Sequence, residues 1–188
     1  MTRTTSISVF LALSAFTFAL HAQTPTSPPP PAAPCSTAEY RQFDFWVGDW
    51  DVTTPDGKLA GHSRVDKILN GCVLHENWKG AGGGNNEGQS FNIYDASRKV
   101  WHQTWVDRSG GMLVLEGGLK DGSMVLEGKR VTAAGEVLNR ITWTPRDDGS
   151  VTQTWVSSKD QGQTWQTQFP GVYTRVKPAK AAQKRHPQ

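Results

Sequence analysis

From residue 47 to residue 176 hydrophobic and polar side chains alternate over short stretches, and turn-forming residues interrupt the alternation at regular intervals. Turn signals fall at Pro55-Asp-Gly57, Asn70-Gly71, Gly80 to Gly88, Ala96-Ser-Arg98, Arg108 to Gly111, Lys120-Asp-Gly122, Ala133-Ala-Gly135, Asp147-Asp-Gly149 and Lys159 to Gly162. The ten runs between them have strand length and lie near 47–54, 58–69, 72–79, 89–95, 99–107, 112–119, 123–131, 137–145, 150–157 and 163–176. Each connection is short enough for a hairpin, so consecutive strands are expected to pair antiparallel. An open meander of this size would leave two exposed edges. Closing it into a barrel removes both and can enclose a ligand cavity. A two-sheet sandwich would need longer crossing connections than these. The pattern therefore predicts an all-β, up-and-down antiparallel barrel of about ten strands over 36–176. Ser36 followed three residues later by Glu39 is a capping-box pattern, which predicts a short helical turn within Ser36–Phe45. The long glycine-rich connection Gly80–Gly88 reads either as a flap over the barrel mouth or as a slack connector.

Composition changes this picture at the ends of the chain. Arg3, the apolar run Ile7–Leu20 and the small residue Ala22 have the layout of a signal peptide over 1–22, with a run too short to span a bilayer. The stretch 23–35 is proline-rich and favours an extended spacer that builds no core. Cys35 lies too far beyond the apolar run to serve as a lipid anchor. An exported, periplasmic or secreted protein is expected. In such a compartment the two cysteines, Cys35 and Cys72, are expected to form a disulfide.

The formal charge of +3 comes from the ends. Arg3 lies in the signal and Lys177, Lys180, Lys184 and Arg185 in a tail over 177–188, expected to be solvated and disordered, which leaves 15 basic against 17 acidic residues in the rest. A barrel near −2 gives no reason to expect a nucleic-acid partner. No span is expected in the mature protein, and a monomer or weak oligomer is the expected state.

Phe43-Asp-Phe-Trp-Val-Gly-Asp-Trp50 contains Gly48-x-Trp50 at the start of the first strand, after a short helical turn, and Arg175 lies on the last strand. This arrangement resembles the first-strand signature of the calycin superfamily, which includes lipocalins, fatty-acid-binding proteins and avidins. The resemblance implies that Trp50 closes one end of the barrel and that Arg175 packs across its ring as a cation–π pair. With NGCVLHENW, SFNIYD, WHQTWVD, NRITWTP and SKDQGQTW, the pattern also resembles a family of exported bacterial proteins of unknown function related to calycins. That resemblance covers about 41–176 and implies fold and export, with no reaction, ligand or cofactor attached. Nitrobindin-like haem barrels are a weaker comparison, since their glycine-rich first-strand pattern is missing. Ser158-x-Asp160-x-Gly162-x-Thr164-Trp165 matches the Asp-box of sialidase-like propellers, where it is a structural turn; one copy implies a well-made turn here, with Asp160 bonding backbone and Trp165 packing beneath.

Side chains of one parity share one face of a strand. By that rule Glu76 pairs with Trp78, Trp101 with Gln103 and Trp105, and Gln153 with Trp155, while Asn92 with Tyr94 and Arg140 with Thr142 are further candidates. Turned inward, these residues would line a pocket suited to a polar or aromatic small molecule, because each buried polar group needs a partner. Turned outward, they would be ordinary cross-strand pairs, and Glu76 and Arg140 could also pair inside a filled barrel. The expected function is ligand binding in an indole-lined cavity. The alternatives are a barrel enzyme using Glu76 as general acid or base, and an envelope interaction or glycan-binding module with a filled interior. His62, His75 and His102 fall on three predicted strands without tight ligand spacing, so no metal is assigned. No nucleophile motif is present.

Overall fold

A computed structural model describes residues 33–84 and 86–177. The signal peptide, nearly all of the proline-rich spacer and the basic tail beyond Lys177 lie outside the described residues. Ten strands form a closed barrel: β1 (Gly48–Thr53), β2 (Leu59–Ile68), β3 (Val73–Gly80), β4 (Glu87–Asp95), β5 (Val100–Asp107), β6 (Met112–Lys120), β7 (Ser123–Thr132), β8 (Gly135–Pro145), β9 (Val151–Ser158) and β10 (Gln166–Arg175). Each strand pairs antiparallel with its neighbours in sequence, and β1 closes on β10 through Trp50↔Arg175 and Asp51↔Thr174. No helix among the described residues is long and apolar enough to cross a membrane.

One end of the barrel is sealed by the segment before β1. Two 3-10 turns, Ala38–Arg41 and Asp44–Trp46, carry Phe43 and Trp46 beneath the strands. Phe43 stacks on Trp46 with centroids 4.9 Å apart and meets Trp101 and Trp143 edge-on at 5.7 and 5.2 Å. Such aromatic pairs contribute roughly 0.5–1.5 kcal/mol each beyond the area they bury. The expected capping box does not form. Thr37, not Ser36, is the N-cap residue, its side chain caps no backbone N–H, and its hydroxyl instead donates to Glu39 Oε2. The turns hold through tertiary contacts: Trp101 Nε1 donates to Gln42 Oε1 at 3.1 Å, and Arg41 Nη2 donates to the Cys35 and Gly71 carbonyls at 3.1 and 2.8 Å. The Cys35–Cys72 disulfide ties the start of this plug to the β2–β3 connection, closing a loop with a sequence separation of 37.

Trp50 is buried, and the Arg175 guanidinium lies 4.3 Å from its ring centroid while Nη1 donates to the Val47 carbonyl at 3.0 Å. Gly48 makes this stack possible. Its φ is +146°, and a Cβ there would lie 2.4 Å from Arg175 Nη1. The Ser158–Trp165 turn is also built as the Asp-box spacing implies. Asp160 accepts from the Thr164 backbone N–H and hydroxyl and from Ser158, and Trp165 Nε1 donates to the Gly162 carbonyl.

Candidate functional site

Above the aromatic plug the interior opens into a cavity of about 590 Å³. Its floor is Trp143 and Tyr173, which pack onto Trp46 of the plug. Its mouth lies at the other end of the barrel, among Asn86 of the β3–β4 connection, Glu87 at the start of β4, Asp107 at the end of β5, Ser109 of the β5–β6 turn, and Gln168 and Phe169 near the start of β10. Proteins commonly hold small molecules in pockets of this size, mostly apolar with a few placed polar groups.

The indoles of Trp78, Trp105 and Trp155 form the walls. Two glycines let them lie flat. A Cβ on Gly61 would meet the Trp78 ring at 2.7 Å, and one on Gly88 would meet the Trp105 ring at 2.3 Å, so each indole covers a bare stretch of the adjacent strand. Every cavity indole spends its N–H inside the protein. Trp78 donates to Asn86 Oδ1 (3.2 Å), Trp105 to Asp107 Oδ2 (3.4 Å), Trp143 to Gln153 Oε1 (3.1 Å) and Trp155 to Asn139 Oδ1 (3.0 Å). Ring faces are what remain for a ligand.

Glu76 sits on the cavity wall at 6% exposure. Ser63 Oγ donates to Oε1 at 3.0 Å and Ser90 Oγ to Oε2 at 2.9 Å. Behind Ser90, Asn92 Nδ2 donates to the Leu74 carbonyl (3.1 Å) and to Ser90 Oγ (3.0 Å), and Gln103 Nε2 donates to Asn92 Oδ1 (2.7 Å). No basic side chain reaches the carboxyl among the described residues, and burial pushes its pKa up to about 7 against the two serine hydrogen bonds that lower it. At the cavity floor Tyr173 donates to Gln153 Oε1, and burial with the nearby Glu76 charge holds the phenol well above its usual range. Asp107 at the rim is held below the usual carboxylate range by the Ser109 hydroxyl and the Gly111 and Ser109 backbone N–H groups.

Of the residues expected to face a ligand, Glu76, Trp78, Gln103, Trp105, Gln153 and Trp155 line the cavity. Asn92 is fully buried one step behind, supporting Ser90, and Trp101 is buried in the plug. Arg140 is a correction. It lies on the outer face of β8, its side chain 38% exposed, with Nε bonded to Glu127 Oε1 and its guanidinium 4.2 Å above the Trp165 ring. The inward parity of β8 belongs to Asn139, Ile141 and Trp143, so no Glu76–Arg140 pair exists. Tyr173, Trp143, Phe169 and the two serines on Glu76 were not singled out from the sequence. Trp143 shares parity with Ile141, a signal that was there to be read. Phe169 was hidden by the register shift in β10 between Thr167 and Phe169, which resets the parity.

The three strand histidines stay apart. His62 contacts Asp51, His75 stacks on Phe91 and His102 bonds Glu116 and Thr104. No group of three potential metal ligands occurs among the described residues. Comparison of the chain with protein-family profiles and with curated proteins finds no match.

Proposed function

We propose that this is an exported, calycin-like barrel that binds a polar or aromatic small molecule in the indole-lined cavity. The observation that carries the reading is the cavity itself. It combines about 590 Å³ of space, an open mouth, flat indole walls and a buried carboxylate with hydrogen-bonding capacity to spare. A protein evolved only as a packed interaction module would fill this space with side chains, since unfilled core volume costs stability. Export is supported by the apolar run at Ile7–Leu20 and by the Cys35–Cys72 disulfide. Calycin kinship is supported by the Trp50–Arg175 stack beside Gly48.

Native mass spectrometry of the mature protein purified from its own host tests the reading. A bound small molecule that is lost on denaturation is the expected result. A bare chain whose tryptophan fluorescence is unmoved by a panel of small aromatic and polar compounds would overturn it. One observation favours a second reading, catalysis by Glu76: a carboxyl with a pKa of about 7 inside a cavity is suited to general acid–base work. For an enzyme, Glu76→Gln should abolish turnover at unchanged affinity; for a carrier there is no turnover to lose.

A further inference from the structure

The chemistry of the cavity narrows its occupant, on the reading that the barrel binds a small molecule. Among the described residues the lining contains three carboxylates, Glu76, Glu87 and Asp107, and no lysine, arginine or histidine. The two at the rim are already engaged. Glu87 pairs with Arg108 at 3.2 Å, and Asp107 accepts from the Ser109 and Gly111 backbone N–H groups at 2.8 and 2.9 Å. Glu76 is buried and faces no cation among the described residues.

The hydrogen bonds behind Glu76 have a fixed direction. The Leu74 carbonyl can only accept, so the Asn92 amide nitrogen must face it, and the same nitrogen donates to Ser90 Oγ. Ser90 must then send its own proton onward to Glu76. Asn92 Oδ1, turned the other way, takes the Gln103 amide N–H. A chain of donors running from Gln103 through Asn92 and Ser90 ends on Glu76, and Ser63 supplies a second donor from β2. A carboxylate offers about four lone-pair sites, so with Ser63 and Ser90 donating about two remain without a protein donor on this cavity-lining group. Around them stand the π faces of Trp78, Trp105 and Trp155, whose N–H groups are occupied elsewhere and whose faces carry negative quadrupole charge. An anionic ligand would meet a carboxylate and negative ring faces with no counter-charge. A cation would meet complementary charge on every side.

We propose that the cavity selects organic cations, with a primary or secondary ammonium group seated on Glu76 and an apolar or aromatic body held between the indoles of Trp78, Trp105 and Trp155. The ammonium N–H groups fill the open lone pairs of Glu76 and supply the positive charge that the barrel interior lacks, while the indole faces add cation–π attraction. Below neutral pH the incoming ammonium displaces the Glu76 proton, which leaves to solvent. Around Glu76 stand Ser63 on β2, Ser90 on β4 and Gln103 on β5, none of which titrates. Tyr173 on β10 is the titratable neighbour, and its phenol stays neutral through the range.

The test compares three phenyl probes of similar size on the intact, oxidised protein: 2-phenylethylamine, 2-phenylethanol and phenylacetate, followed by tryptophan fluorescence and titration calorimetry at pH 8. The amine is expected to bind at least about tenfold tighter than the alcohol, and phenylacetate weakest. In Glu76→Gln the amine and alcohol should converge. At pH 6, calorimetry in buffers of differing ionisation enthalpy should register proton release on binding of the amine to the unmutated protein. The probe comparison and the proton count need no variant, so they stand if Glu76→Gln fails to fold. Alcohol or carboxylate binding as tightly as the amine overturns the cation proposal and leaves the ligand-binding reading intact. Failure of all three probes at millimolar concentration overturns the cation proposal, and the ligand-binding reading then stands or falls on the mass-spectrometric test above.

Discussion

Glu76→Gln should change the pH dependence of stability by an amount that the buried carboxyl sets. In the unfolded chain this group titrates near 4.5, and in the barrel burial holds it at about 7. Between those values the folded protein keeps a proton that the unfolded chain has lost, so stability falls as pH rises across this window. Below 4.5 both states are protonated and Glu76 carries no charge penalty; above 7 the penalty is complete. A displacement of this size corresponds to about 3 kcal/mol at roughly 1.4 kcal/mol per pKa unit. In a barrel of this length that is a difference of about 10 °C in melting temperature. The assay is urea denaturation of the ligand-free protein and of Glu76→Gln at half-unit steps from pH 4 to 9, with the disulfide intact. Glutamine keeps the shape of the side chain and cannot ionise, so the stability difference between the two proteins isolates this one group. The variant should gain relative to the unmutated protein by about 3 kcal/mol from low to high pH. A difference that is flat across the window would refute the reasoning, since it would mean that Ser63 and Ser90 solvate the carboxylate as well as water does.

Cys35→Ser should destabilise the oxidised protein by about 4 kcal/mol, the loop-closure entropy of a bridge of this span, read by urea denaturation with the reduced protein as control. Gly48→Ala should cost about 2 kcal/mol, because the φ of +146° is unfavourable for alanine and the new Cβ collides with the Arg175 guanidinium. Its thermal midpoint and the near-ultraviolet circular dichroism of Trp50 should both change. Arg140→Ala removes the outer stack on Trp165 and the pair with Glu127 at a cost of about 1 kcal/mol, and probe affinity should stay unchanged because the side chain never reaches the cavity.

Much of the barrel was legible because each strand is short, half-buried and bounded by turn residues with a mechanism of their own. Strand β3 was expected at 72–79 and spans Val73–Gly80; β6 was expected at 112–119 and spans Met112–Lys120. Larger errors have local causes. Strand β10 starts at Gln166 rather than 163 because Asp160 and Ser158 take the backbone N–H groups of Thr164 and Gly162 into the turn before it. The site was legible only up to a sign. Period-two alternation says which side chains share a face, and says nothing about which face is inside. On β3, β5 and β9 the face that carries Trp78, Trp105 and Trp155 is the inner one. On β8, Arg140 and Thr142 were expected inside, but the apolar weight of Ile141 and Trp143 decides, and Arg140 finds its aromatic and acidic partners on the outer surface.

The eight tryptophans divide by height in the barrel, and that division has a consequence for recognition. Trp46, Trp50 and Trp101 are consumed by the plug, and Trp165 braces a turn. Trp143 is shared, packing on the plug below and flooring the cavity above. Together with Trp78, Trp105 and Trp155 it reaches the cavity with its N–H already bonded, so the indoles supply area and π-face attraction but no directional hydrogen bond to an occupant. Among the cavity walls, directionality therefore rests on the amides of Gln103 and Gln153 and on Glu76. Both glutamines are committed at one end, Gln103 donating to Asn92 and Gln153 accepting from Trp143 and Tyr173. Their orientation is fixed before a ligand arrives, which lowers the ordering cost of binding. On the ligand-binding reading proposed above, aromatic area sets how tightly a flat molecule is held, and the buried carboxyl of Glu76 sets which charge it must carry.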